Sequence, residues 1–359
     1  MKLGIFGLIR AKRVGELIWE KAWEESHHNL ARNKNDSIEN FTFLNNLLKS
    51  SQLITILSGG TGSMKIVRGL SKIDRSVAVI LNVGDNVWKY GLYICPDIDT
   101  ILYGLSGLLD TRRGWGMEGD TFNFMDQTGK LGQENWFRVG DRDLATHLLR
   151  TELIRNGMTL TDVTEYFRST YKLNAEMIPV SDDSIETRII TSRGELNIQE
   201  FWVKYKAAPR VVGVKYKGAK NSRLAARVLK LIRSSERIVI APANPISSIG
   251  PSLAVPGLKN ELSKIKEKVI AISPIVGKHA FSGPAAKYMK ALKLEISPVG
   301  VAKYYSDIIG TFVISKMDLS FESAIKKLGL NVYLTDIAMN TLHEERRLAS
   351  FVAGVSLRI

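Results

Sequence analysis

The stretch Leu53–Lys65, LITILSGGTGSMK, constrains the fold more than any other part of the chain. Four of its first five residues are apolar, and Ile54 and Ile56 among them are β-branched. Such a run reads as a strand buried on both faces, which is the signature of a parallel sheet. The chain then breaks into Ser58-Gly59-Gly60-Thr61-Gly62-Ser63, where glycines permit φ > 0 and let backbone amides approach a ligand closely. Met64, Val67 and Leu70 follow at three-residue spacing, so a helix begins there. Strand, glycine loop and helix N-terminus together make an anion site, because loose amide donors and the positive end of the helix dipole converge. The expected occupant is phosphate, held by Gly59, Gly60, Thr61 and Gly62, with Lys65 close in sequence. Neither a Walker loop nor a Gly-x-Gly-x-x-Gly dinucleotide fingerprint can be laid on these residues.

Length and charge narrow the partners. At 359 residues and 45% apolar, the chain can bury a large core in two domains or in one domain with an insertion. Cys95 is the single cysteine, which rules out a disulfide framework and multi-cysteine metal sites and fits a reducing compartment. The apolar Leu3–Ile9 run is short and lacks a small-residue cleavage site, so a signal peptide is not expected. With no apolar run near the roughly 18 residues of a membrane span, the expectation is a soluble, cytoplasmic protein. The net charge of +14 favours anionic partners. Lysines and arginines are spread along the chain without interleaved aromatics, so phosphorylated small molecules are expected rather than nucleic acid or membrane.

Residues 1–52 differ from the rest: an amphipathic helix over Arg10–Glu25 is followed by a polar linker. From Leu53 onward, buried strands (Ser76–Asn82, Arg237–Ala241, Lys268–Ser273, Ile309–Ile314, Asn331–Leu334) alternate with helices. That rhythm implies right-handed crossovers and a parallel sheet covered on both faces. Between them, residues 112–233 read as an inserted helix-and-hairpin subdomain, leaving 53–111 and 234–359 as the core. In such sheets ligands lie beyond the carboxyl ends of the strands. The glycine loop, Asn82–Asn86, Pro242–Ser248 and Ser273–Gly283 are therefore expected to form one site.

Seven motifs in order carry a resemblance: SGGTG at 58–62, PDIDT at 96–100, GDRDLATH at 140–147, PVSDD at 179–183, APANPISSIGP at 241–251, ISPIVGKHAFSGPAAK at 272–287 and GVAKYYSD at 300–307. Together they resemble the 2-phospho-L-lactate transferase (CofD) family, over nearly everything from Leu53 to about Gly354. The resemblance implies a Rossmann-like α/β core with a smaller inserted mixed α+β subdomain, Mg²⁺ dependence and a homodimer. It also implies a reaction of coenzyme F-420 synthesis. A phospholactyl group, or a related phosphoenolpyruvyl or phosphoglyceryl group, passes from a guanosine-diphosphate-linked donor to the ribityl hydroxyl of the deazaflavin Fo, and GMP leaves.

Residue chemistry agrees with that reaction. Attack of an alcohol on phosphorus calls mainly for positioning and charge neutralisation. Asp97 and Asp99 precede a helix and are the expected catalytic carboxylates, Asp97 also as a Mg²⁺ ligand, since that ion takes one or two carboxylates with phosphate and water. Either could simply cap the helix. Asp182 and Asp183 are the further metal candidates, of which adjacency lets one point into the site. The resemblance carries over Asp99 and Arg142 as contacts to the acceptor; a guanidinium offers a planar fork that also stacks on rings. Asp143 and His147, one turn apart, are expected to pair. Asn244 and Ser248 offer polar groups to a guanine edge, and Trp88 and Trp115 are candidates to stack on the deazaflavin. A sister branch of nucleotide-sugar-binding regulators is the alternative reading. A nicotinamide dehydrogenase is disfavoured by the missing fingerprint.

Overall fold

The computed structural model describes residues 53–357 apart from 74 and 282, all within one unit running from 52 to 359. The expected helix and linker of residues 1–52 lie outside the described residues. Strands β1 (Ile54–Ser58), β2 (Val77–Leu81) and, much later in the chain, β9 (Arg237–Ile240) are buried along their whole length. So are β10 (Val269–Ile272) and β13 (Thr311–Ser315), as continuous apolar runs covered on both faces should be. With β5 (Glu176–Pro179) and β14 (Asn331–Thr335) they form one parallel sheet in the order β14-β13-β10-β9-β1-β2-β5. This is the doubly wound order, and the winding reverses between β1 and β9.

One correction to the expected division follows. Residues 112–233 are not wholly an insertion, because β5 pairs with β2 from Ala78↔Glu176 to Leu81↔Pro179 and so belongs to the main sheet. Its Met177–Pro179 are buried there. What stands apart is the antiparallel sheet β7-β6-β8, built from β6 (Glu186–Thr191), β7 (Gly194–Asn197) and β8 (Val211–Lys217). A short hairpin of β3 (Val87–Lys89) and β4 (Leu92–Ile94) forms a two-stranded sheet of its own.

Register decides where the site lies. Ser58 pairs with Leu81, and Leu57 with Ile240. The chains leaving β1, β2 and β9 at Gly59, Asn82 and Ala241 therefore emerge side by side. Helix α1 (Gly60–Leu70) follows β1 directly and is clamped from behind by the C-terminal helix Leu342–Gly354, where Arg68 makes a two-pronged pair with buried Glu345. Helix α2 (Pro96–Ser106) packs on α1, with Met64 seated against Gly104. No helix among the described residues is long and apolar enough to cross a membrane.

Candidate active site

A cavity of about 420 Å³ opens at the β1/β9 switch point. Its walls include Gly59, Gly60, Thr61 and Gly62 on one side, Asn244, Ser247 and Ser248 on another, and Asp85, Asp97 and Asp99 at the floor. The glycines are there for steric reasons. Gly60 sits at φ +69°, in the left-handed region. A Cβ on Gly62 would stand 2.6 Å from the Pro242 carbonyl oxygen, so the two loops could not approach as they do.

The amide cradle is narrower than the sequence suggests. Gly59 N–H donates to Ser63 Oγ at 2.9 Å, and Gly60 N–H serves the Asp97 carboxylate. The amides of Thr61 and Gly62 are the ones without an acceptor among the described residues. No acidic residue of α1 itself occupies its first turn; the Asp97 carboxylate takes the Gly60 amide, which leaves the Thr61 and Gly62 amides for a further anion. Lys65 is exposed and is not part of the lining.

Two carboxylates meet at the floor. Asn82 Nδ2 donates to Asp97 Oδ2 at 2.8 Å and to Asp85 Oδ1 at 3.3 Å. Burial raises the Asp97 carboxyl above the usual carboxylate range, against the hydrogen bonds from Asn82 and Gly60. Burial, with the neighbouring Asp97 charge, raises Asp85 still more. No lysine, arginine or histidine among the described residues pairs with either. Two carboxylates, Asp97 buried and Asp85 half-buried, with neutral donors and no counter-charge among the described residues make a hard-oxygen set suited to a divalent cation.

Asp99 has a different environment. Both its oxygens face the guanidinium of Arg150, which is fully buried on α4 (Asp141–Arg155). Arg150 Nη1 also lies 3.3 Å from His147 Nδ1. With that nitrogen accepting, the ring proton is assigned to Nε2, 3.2 Å from Asp143 Oδ2. Tyr103 Oη donates to the other Asp143 oxygen at 2.6 Å. The expected Asp143–His147 pair is present, within a buried chain of partners that fixes Asp99. Arg150 has no motif of its own in the sequence; only its spacing of three from His147 on the same helix hinted at it.

Other expected residues fall elsewhere. Arg142 is exposed, donating from Nη1 to the Glu118 carbonyl at 2.6 Å, and does not line the cavity. It stands at the first turn of α4 on the face opposite buried Asp143 and His147. Asp182 and Asp183 are exposed and outside the lining. Asp182 accepts from Thr161 N in the first turn of the helix Leu160–Thr170, and Asp183 from Arg223 N in a loop, so each carboxylate serves a backbone amide outside the cavity. Asn244 lines the cavity, but its Oδ1 accepts from Ile246 N and Ser247 N and caps the following turn. Its carbonyl is thus spent, and Ser247 and Ser248 hydroxyls remain for a purine edge. Trp115 joins the wall, whereas Trp88 is 53% exposed and stacks on Tyr93 outside it.

Sequence reasoning placed the Asn82–Asn86 loop at the site without singling out Asp85, and passed over Trp136 and Trp202; all three line the cavity. Asp85 had a signal, an acidic residue directly after a parallel strand. The tryptophans had a weaker one, aromatic pairs among polar residues (Trp136-Phe137, Phe201-Trp202).

Fold and site together define a doubly wound α/β protein with an anion-binding crevice facing an acidic floor. The family model for 2-phospho-L-lactate transferase CofD matches residues 54–341, and the chain belongs to that family. A 2-phospho-L-lactate transferase of Methanosarcina acetivorans is 39% identical over 302 residues, covering 84% of this chain and 98% of that protein. The same-named protein of Methanocaldococcus jannaschii is 37% identical, covering 83% and 96%. A phosphoenolpyruvate transferase of Nocardia farcinica is 34% identical, covering 79% and 90%. Among solved structures, a Bacillus halodurans protein of the UPF0052 family shares the fold, with a TM-score of 0.59 at 14% identity over 84% of this chain and 98% of that one.

Proposed function

We propose that this transferase moves a 2-phospholactyl group, or its phosphoenolpyruvyl or phosphoglyceryl counterpart, from a guanosine-diphosphate-linked donor to the ribityl hydroxyl of the deazaflavin Fo. The new bond joins the hydroxyl oxygen to the phosphorus that carries the acyl-bearing group. The bond from that phosphorus to the bridging oxygen breaks, and GMP leaves with the electron pair. One observation carries the reading: free amides at a helix N-terminus and the Asp85–Asp97 carboxylates line one cavity.

Each group has a task. Thr61 and Gly62 amides hold donor phosphate oxygens, and Ser247 and Ser248 lie beside them for the base. Asp85 and Asp97 would hold Mg²⁺, which supplies neutralisation of the phosphates when bound. The two carboxylates offer four oxygens, enough for an ion and for the proton that the attacking hydroxyl releases. Asp99, oriented by Arg150, accepts a hydrogen bond from the acceptor's hydroxyls. Trp115, Trp136 and Trp202 provide ring faces for the flat deazaflavin.

The test is incubation of the protein with Fo, MgCl₂ and each of the three donors in turn, following GMP by chromatography. GMP and a phosphodiester product with one donor are expected. No GMP with any donor would leave a binding protein in place of a transferase.

A further inference from the structure

Tyr288 lies on the helix Ala285–Ala291, behind the loop that ends in Gly283 and Pro284. It is fully buried, its ring packs against Phe201 at 5.7 Å, and it lines the cavity. Its hydroxyl has no hydrogen-bond partner among the described residues. Leaving a buried hydroxyl unpaired costs about 1–3 kcal/mol, and folded proteins hold few such groups. Phenylalanine would fill the same space against Phe201 at no such cost, so packing alone does not account for the oxygen. Burial and the charge of Asp85 both push the phenol upward from its ordinary value, which keeps it a neutral O–H donor.

A comparison within the molecule sharpens the point. Tyr216 is also buried in this region, but its hydroxyl donates to the Ile246 carbonyl at 2.6 Å. The hydroxyl of Tyr305 is unpaired too, yet Tyr305 does not line the cavity. Tyr288 alone of these three combines an unspent donor with a place on the cavity wall. Asp85 and Asp97 line the same cavity, and the proposed substrate presents acceptor-only phosphate oxygens there.

We propose that the Tyr288 hydroxyl is a binding contact for the phosphate-bearing substrate, donating to an anionic oxygen held above Asp85 and Asp97. The inference rests on the transferase reading for the identity of that substrate, though not for the contact itself.

Tyr288→Phe tests it, with Tyr305→Phe as control, by thermal unfolding without ligand and by calorimetric titration of GDP in MgCl₂. Both variants should unfold at or above the wild-type temperature. Tyr288→Phe should weaken GDP binding about tenfold, the loss of one hydrogen bond to a charged group, while Tyr305→Phe and the Fo affinity stay unchanged. GDP affinity within twofold of wild type overturns the proposal. So does a clear drop in the unfolding temperature of Tyr288→Phe, which would mean that the hydroxyl is satisfied inside the protein. Wild type that binds GDP but releases no GMP from any donor defeats the transferase reading and leaves the contact to be judged by the variant. Should wild type ignore GDP, inorganic pyrophosphate with MgCl₂ is the second probe: a Tyr288-dependent affinity keeps the phosphate contact, and no binding of either anion overturns it.

Discussion

Gly62→Ala sets two effects of known size against each other. Gly62 lies in the first turn of α1, at φ outside the left-handed region, so alanine is conformationally acceptable and would favour the helix by up to about 1 kcal/mol. Against this, the added Cβ would stand 2.6 Å from the Pro242 carbonyl oxygen, where ordinary contact begins at 3.4 Å. The β1 and β9 loops must therefore part by about 0.8 Å, and overpacking of this kind costs about 1–3 kcal/mol. Backbone cannot rotate away as a side-chain end could, so the clash should win. We expect a net loss of about 1–2 kcal/mol, a fall in unfolding temperature of a few degrees for a domain this size. Activity should fall further. The same displacement moves the Thr61 and Gly62 amides relative to Ser247 and Ser248, and misplacement by an ångström costs about a hundredfold in rate. A loss of tens-fold in GMP release, alongside a two- to six-degree drop by calorimetry, is about what these magnitudes give. A variant as stable and as active as wild type would show that the loops do not touch in solution, and the crevice geometry would be wrong.

Three further outcomes are expected. Asp97→Asn should lower turnover by at least about a hundredfold while the protein stays folded, whereas Asp182→Asn and Asp183→Asn should remain within about threefold in the same GMP assay; equal losses at all three would return the metal to the 182–183 turn. Arg150→Met should cost about 3–5 kcal/mol in urea unfolding, since it strands the Asp99 charge, and adding Asp99→Asn should recover most of that loss; a cost below 1 kcal/mol for the single variant would contradict the buried pair. Hydrogen bonds from Thr121 and from the Phe124 and Asn123 amides hold the Asp141 carboxyl down to about 2. A folded value below the unfolded one stabilises above the unfolded value, and that contribution is lost as pH falls from about 4 toward 2. Protection factors of the amides at 121–126, corrected for intrinsic exchange, should fall over this window in wild type and stay constant in Asp141→Asn.

Much of the molecule was readable before any coordinates. The runs at Ile54–Ser58, Val77–Leu81, Arg237–Ile240, Val269–Ile272 and Thr311–Ser315 announced themselves as strands because a doubly covered strand has no polar face to interrupt it. The glycine loop and the Asn244-Pro245 turn were equally plain, since turn chemistry is set by residues a few positions apart. So were the Asp143–His147 pair and the helix they share, because i and i+4 always meet.

What neighbouring residues cannot encode is which distant segments share a wall. Asp97 and Asp99 look alike in sequence, yet one meets Asn82 and Asp85 and the other meets Arg150, fifty-one positions away. Asp182 and Asp183 looked like ligands until Thr161 and Arg223 were seen to claim them. The strand at Glu176–Pro179 was readable as extended, but its membership of the main sheet depends on β2 being free to pair on that side. Periodicity and turn chemistry act over one or two turns of chain and are written into the sequence. The direction a carboxylate faces is settled by packing between elements far apart, and the tertiary structure alone decides it.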